Sequence, residues 1–156
     1  MQNEGLALCL GPDIDTDLII AGRYLRTKDR KVWAEHAFED LDPKIAGKLN
    51  GAILVAGKNF GCGSSREQAP IALREAGVIA VIAPSFARIF FRNAINLGLP
   101  VLEADFTCSD GEKVAFSLDG GWISSGDRKV DVKPLSPKMQ KILLSGGLVE
   151  LWRKRD

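Results

Sequence analysis

Two short unbroken apolar runs dominate the hydrophobic pattern of the chain, Gly51-Ala-Ile-Leu-Val-Ala-Gly57 and Val78-Ile-Ala-Val-Ile-Ala83, each bounded by glycine or proline. Runs of this length without polar alternation predict strands buried on both faces. Between them, Ala69, Ala72, Leu73 and Ala76 recur at helical spacing, so a helix is expected over Ser64 to Ala76 with Gly77 as its left-handed stop. A second helix is expected over Phe86 to Leu97, with Ser85 as cap, Phe86, Ile89 and Phe90 as a core stripe, and Gly98 before the strand Val101-Leu102. The succession is a βαβαβ unit. Right-handed crossovers make its sheet parallel and cover it with helices.

The flanks are less regular. Leu6 to Leu10 reads as a strand, Val32 to Phe38 as a short helix, and Asp42-Pro43 to Leu49 as a helix with proline in its first turn. After Glu103 come short alternating segments, Lys113 to Leu118, Trp122-Ile123 and Val130 to Val132, separated by Asp119-Gly120-Gly121 and Ser125-Gly126-Asp127. These are hairpin signals. Ser136-Pro137 opens a last helix that Gly146-Gly147 closes.

The 156 residues suit one domain, 1–156, with a core that needs no disulfide staples. Lys and Arg (21) nearly balance Asp and Glu (20), which removes the broad positive field that binding to nucleic acid depends on. No apolar run approaches the roughly 20 residues of a membrane span. The N-terminal Met1-Gln2-Asn3-Glu4 carries an acid where a signal peptide has basic residues, and Pro12 and Asp13 interrupt the following run. A cytoplasmic protein without membrane or nucleic-acid partners is expected. Cys9, Cys62 and Cys108 are odd in number and widely spaced, fitting reduced thiols better than a disulfide framework or a four-ligand metal site.

The densest polar information is Lys58-Asn-Phe-Gly-Cys-Gly-Ser-Ser-Arg-Glu67, placed after a buried strand and before a helix, where open parallel sheets bind ligands. Gly61 and Gly63 allow a ligand close to the backbone, the N–H groups of a helix start favour an anion, and Arg66 adds a planar fork for a carboxylate or phosphate. Ser64-x-x-Glu67 is also a capping box, needed by a helix whether or not it binds anything. A cap explains neither the paired glycines nor the arginine. The segment is neither a Walker loop nor a dinucleotide fingerprint. Asp13-Ile-Asp-Thr-Asp17 could in principle hold a hard cation, but it lacks the glycine and distal glutamate of a calcium loop; a turn that fixes nearby donors is the better reading, with Arg23 and Arg26 following. His36 has no serine or cysteine partner in the pattern, which leaves no conventional hydrolase triad.

Five blocks in order, Asp13 to Asp17, Tyr24-Leu-Arg-Thr27, Asn59 to Glu67, Ala83 to Asn93 and Asn96-Leu-Gly-Leu-Pro100, resemble the family of 3-isopropylmalate dehydratase small subunits, and more broadly the swivel domains of aconitase-type hydro-lyases. The resemblance implies an α/β, swivel-domain-like three-layer fold, with the βαβαβ parallel-sheet core and a small additional β region near the C-terminus. It implies no cofactor and no metal in this chain, because the four-iron iron-sulfur cluster belongs to a separate large subunit, where its open iron acts as a Lewis acid on the leaving hydroxyl. By the same resemblance Ser64, as an alkoxide, abstracts a substrate proton; Ser65 and Arg66 bind a substrate carboxylate; Gly61, Gly63, Asp15 and Asp17 support them. Arg26 falls in the segment that contacts the variable group of a small hydroxy acid with two or three carboxylates. There the chain departs from the Tyr-Leu-Val/Ile-Tyr type associated with isopropylmalate, and a guanidinium suits a further carboxylate better than an isopropyl group. Isomerisation of 2-isopropylmalate to 3-isopropylmalate in leucine biosynthesis is the first expectation. Homoaconitase, or an enzyme acting on both substrates, is the second, and a free-standing anion-binding module is the more distant one.

Overall fold

The computed structural model describes residues 3–154, so Met1 and Gln2, at the start of the N-terminal segment considered above, lie outside the described part. The chain enters through β1 (Glu4–Cys9), passes two short helices, α1 (Thr16–Ile19) and α2 (Arg30–Glu35), and reaches β2 (Ala52–Val55). Then come α3 (Gln68–Glu75), β3 (Ala80–Ala83), α4 (Arg88–Asn96) and β4 (Val101–Glu103). Every residue of β2 and β3 is buried, the environment that their unbroken apolar runs demand. The strands β1 to β4 are parallel, with β2 between β1 and β3 and with β4 outside β3. Gly77 and Gly98 close α3 and α4 with positive φ of 92° and 82°.

The expected C-terminal β region is not separate. The strands β5 (Lys113–Ser117), β6 (Trp122–Ser125) and β7 (Arg128–Asp131) form the two hairpins, and β5 pairs antiparallel with β1. One seven-stranded sheet results, in the order β4-β3-β2-β1-β5-β6-β7. The first strand thus sits where the parallel half meets the antiparallel half. Helix α5 (Pro137–Leu144), capped by Ser136 Oγ accepting the Met139 N–H at 3.2 Å, packs on α4. The glycine pair after it turns the chain into a further short helix, α6 (Leu148–Arg153), that the apolar pattern did not announce.

Four local expectations are corrected. Helix α3 starts at Gln68, not after a Ser64 cap, and Glu67 at its N-cap makes no side-chain capping bond. Pro70 supplies the reason: a helix begun at Ser64 would place it in the second turn, where its ring meets a carbonyl and its missing N–H breaks the ladder, whereas a start at Gln68 puts it in the tolerated first turn. Ser85 does not cap α4 either, because Phe86 and Ala87 remain extended to bridge Phe60, with Phe60 N–H donating to Ser85 O at 3.1 Å and Ala87 N–H to Phe60 O at 2.9 Å. Ile89 is 52% exposed rather than part of the core stripe, which consists of Phe90, Ala94 and Ile95. The segment from Asp42 to Leu49 forms only a turn and one 3-10 turn at Ala46–Lys48; Asp42 Oδ1 accepts the Lys44 N–H at 2.9 Å, a local bond that competes with a helix.

Candidate functional site

Three loops leave the carboxyl ends of the adjacent strands β1, β2 and β3, and backbone bonds lace them together. The loop after β1 runs beside the loop after β2: Gly61 N–H donates to Ile14 O at 2.8 Å, Thr16 N–H to Cys62 O at 2.9 Å, and Asp15 pairs with Cys62 as an isolated parallel bridge. The loop after β3 joins through Phe60 and through Ser85, whose hydroxyl accepts the Asn59 N–H at 2.9 Å. Asn59 holds a left-handed φ of 61°, and its amide donates to Asp13 Oδ1 at 3.1 Å. Beneath them Phe60 is fully buried, with the rings of Phe86 and Phe90 edge-on at 5.9 and 5.2 Å. The turn is anchored from below.

Gly61 and Gly63 serve this anchoring and also line the cavity beside Ser64. Gly61 has φ of 83°, and a Cβ there would lie 2.3 Å from the Phe90 ring; Gly63 has φ of 90°, and a Cβ would lie 2.4 Å from Asp15 Oδ2. Only glycine meets both demands. Asp15 in turn caps α1, its Oδ1 accepting the Asp17 N–H at 2.7 Å. Thr16, which the sequence reading did not single out, is 1% exposed and donates its hydroxyl to Ser64 O at 2.8 Å. Its place inside the acidic block was the only signal available.

Ser64, Ser65 and Arg66 come together at a cavity of about 210 Å³ that the first two turns of α4 also line, with Arg88, Ile89 and Asn93. Both serines are exposed. Arg66 Nε donates to Ser64 Oγ at 3.1 Å, one terminal nitrogen donates to Ile20 O at 3.3 Å, and the other pairs with Asp17 Oδ1 at 2.6 Å. At most three of the five guanidinium donors are engaged by these contacts, which leaves at least two. Asp17 therefore holds Arg66, and Arg66 touches the Ser64 hydroxyl. A cation in hydrogen-bond contact with a hydroxyl favours its deprotonated form. Burial pushes the neighbouring Cys62 thiol up, with Asp15 and Asp13 adding to the effect.

Arg26 stands apart from this cluster. Its side chain is exposed, with no hydrogen-bond or ion-pair partner among the described residues, and it does not line the Ser64 cavity. The start of its loop does reach the site, since a Cβ at Gly22 would be 3.6 Å from an Arg66 terminal nitrogen. The loop is held by Tyr24, whose hydroxyl donates to Glu39 Oε1 at 2.5 Å, whose ring stacks on His36 at 4.2 Å, and whose carbonyl accepts the Trp33 indole N–H at 3.0 Å. Arg23 pairs with Glu39 and Asp40 at 3.0 and 2.7 Å, and His36 Nδ1 contacts Glu39 Oε2. Hydrogen bonds from Tyr24, then His36 and Arg23, hold the Glu39 carboxyl down at about 2. His36 is thus a ring support for the loop.

Among the described residues there is no group of three or more His, Cys, Asp or Glu side chains able to hold a metal ion, and no helix long and apolar enough to cross a membrane.

Residues 12–105 match the model of the aconitase C-terminal domain. The chain is 51% identical over 144 residues to a 3-isopropylmalate dehydratase small subunit of Aliarcobacter butzleri, covering 89% of this chain and 87% of that protein. It is 50% identical over 147 residues to a methanogen homoaconitase small subunit of Methanothermobacter thermautotrophicus, covering 92% and 86%. A crystal structure of 3-isopropylmalate dehydratase from Methanocaldococcus jannaschii superposes with a TM-score of 0.92 at 44% identity, covering 97% of this chain and 93% of that one.

Proposed function

Since the chain belongs to the aconitase C-terminal domain family, we propose that it is the small subunit of a 3-isopropylmalate dehydratase, a single swivel-type domain over residues 1–156 that completes an active site on a large subunit in the cytoplasm. The many relatives named as small subunits of such dehydratases, at about half identity over most of the chain, support a hydro-lyase subunit of leucine biosynthesis. The three-layer arrangement of the swivel domain belongs to the same proposal. Cys9 and Cys108 lie together and line a different cavity from Ser64. The same reading puts the four-iron cluster and the departure of the hydroxyl on the large subunit, in keeping with relatives named as small subunits.

What this chain supplies is a base and an anion site. Ser64 Oγ removes the proton from the substrate carbon, and the observation that carries this role is the 3.1 Å hydrogen bond from Arg66 Nε at the mouth of the cavity. A serine hydroxyl is a very weak acid, so its alkoxide needs such a charged donor. The two unengaged donors of Arg66 and the Ser65 hydroxyl bind a substrate carboxylate, which brings the carbon acid next to Ser64. Asp17 fixes the guanidinium, Asp15 and Gly63 fix the turn, and Gly61 seats it on Phe90. The test is Ser64→Ala in the complex reconstituted with the large subunit: turnover is lost while assembly and folding persist. Near-normal kcat in an assembled Ser64→Ala complex would remove the base assignment.

A second substrate, homoaconitate or a related tricarboxylate, is favoured by one observation. Arg26 is exposed and without a partner among the described residues, and this reading turns it toward an additional carboxylate of the substrate. The homoaconitase subunit among the relatives supports the same choice.

A further inference from the structure

Cys9 closes β1, and Cys108 lies in the connection between β4 and β5, yet their sulfurs are 3.8 Å apart. The Cys9 S–H is directed at Cys108 O, 3.2 Å away. The contact follows from sheet topology: β5 pairs with β1 antiparallel, with Lys113 opposite Leu6, so the residues just before β5 run back along the end of β1. Residue 110 would continue the ladder opposite Cys9, but there the Asp110 side chain takes over and accepts the Cys9 N–H at 2.6 Å. Residues 104–112 form neither helix nor strand. Both thiols are half-buried and open on a cavity of about 480 Å³, walled also by Leu10, Pro12, Val55 and Phe106, that is separate from the Ser64 cavity. A small reagent can reach them.

We propose that Cys9 and Cys108 are a dithiol modification site that closes to an intramolecular disulfide by exchange with a low-molecular-weight disulfide. A disulfide bond of about 2.05 Å requires the sulfurs to approach by roughly 1.8 Å, a side-chain rotation and a shift of the irregular loop, not of the sheet. Cys108 attacks first, because the Cys9 contact and the charge of Arg128 oppose the burial, Glu112 and Asp110 that push its thiol up, whereas burial, Cys108 and Asp110 all push the Cys9 thiol up. Its sulfur bonds to one sulfur of the oxidant and expels the other as a thiolate, giving a mixed disulfide. Cys9 then loses its proton and attacks Cys108 Sγ, and the second small thiol departs. Two protein thiols are oxidised by two electrons, and their protons end on the two small thiols released. Burial raises both thiols, Cys9 to about 12, so exchange is slow near neutrality and quickens as pH rises. The new bond ties the end of β1, which leads through Pro12 to the turn under Ser64, to the β4–β5 connection.

The experiment uses the full chain incubated with oxidised glutathione, unfolded under acid quench and counted for free thiols, beside intact-mass and peptide analysis. The count falls from three to one, Cys62 remaining, with a mass loss of about 2 Da, a peptide joining Cys9 to Cys108, and reversal by dithiothreitol. The oxidised chain unfolds at a higher temperature, since the link closes a loop of about one hundred residues in the unfolded chain. Cys9→Ser leaves Cys108 carrying a stable glutathione adduct, and Cys108→Ser prevents the mass loss. Three persisting thiols, a lasting adduct on the unmodified chain, or a link through Cys62 would each overturn the proposal. None of these readouts depends on enzyme activity.

Discussion

Thr16→Val tests whether the turn after β1 positions the Ser64 loop. The substitution keeps shape and volume and exchanges one hydroxyl for a methyl group. Thr16 is 1% exposed, so the lost group is not replaced by water at that residue, and its one side-chain bond among the described residues is the 2.8 Å donation to Ser64 O. Removing the donor together with its own desolvation leaves only the Ser64 carbonyl to account for. That carbonyl belongs to an exposed residue and can recruit water. The stability loss is therefore near the ordinary net value of a hydrogen bond, about 0.5–1.5 kcal/mol, or roughly 1–6 °C in Tm for a chain of this size. The kinetic loss is larger. With its carbonyl released, the Ser64 turn shifts relative to Arg66, and a misplacement on the order of 1 Å at a reacting group costs about 100-fold. The assay is thermal unfolding of the isolated chain beside kcat and KM of the reconstituted complex. A fall in kcat of about 10–100-fold at nearly constant KM is expected. If Tm falls as calculated and kcat does not, Thr16 is a core hydroxyl with no bearing on Ser64, and the coupling between the two loops is refuted.

Three further outcomes are open to measurement. Arg26→Val lowers kcat/KM for a substrate with an additional carboxylate by about 1.5–3 kcal/mol, roughly 10–150-fold, and spares or improves isopropylmalate; equal small changes for both would show that Arg26 does not face the substrate. Glu39→Gln reduces the acid sensitivity of the fold. The Glu39 carboxyl is held at about 2 against an ordinary 4.5, so its contribution is complete above about pH 4.5 and is lost as pH falls through about 2. Urea midpoints from pH 6 to pH 2 should therefore converge between the variant and the parent at the acid end, and a constant gap would contradict the assignment. Gly61→Ala destabilises by about 2–4 kcal/mol, because a φ of 83° and a Cβ at 2.3 Å from the Phe90 ring add backbone strain to overlap. A denaturant midpoint within error of the parent would show that the loop can move off Phe90.

The apolar runs of β2 and β3, the glycine stops of α3 and α4 and the proline-led start of α5 are written in the chain, because each depends on burial pattern or backbone freedom within a few residues. So is the block from Asn59 to Glu67, whose glycines, serines and arginine predict a turn suited to an anion. The start of α3 was also legible, in Pro70, which excludes a helix begun at Ser64. Other features needed the folded chain. The continuation of the parallel sheet into β5 to β7 rests on pairing with β1 across about a hundred residues, and strand pairing at that distance leaves no periodic trace. The meeting of Cys9 with Cys108 follows from the same pairing. Phe86 and Ala87 are extended rather than helical because Phe60, on another loop, offers them a bridge, and Thr16 matters only because Ser64 O arrives above it. A sequence specifies which groups can donate, accept or carry charge, but the partner that makes a buried donor or an exposed cation consequential is set by which strand ends lie side by side.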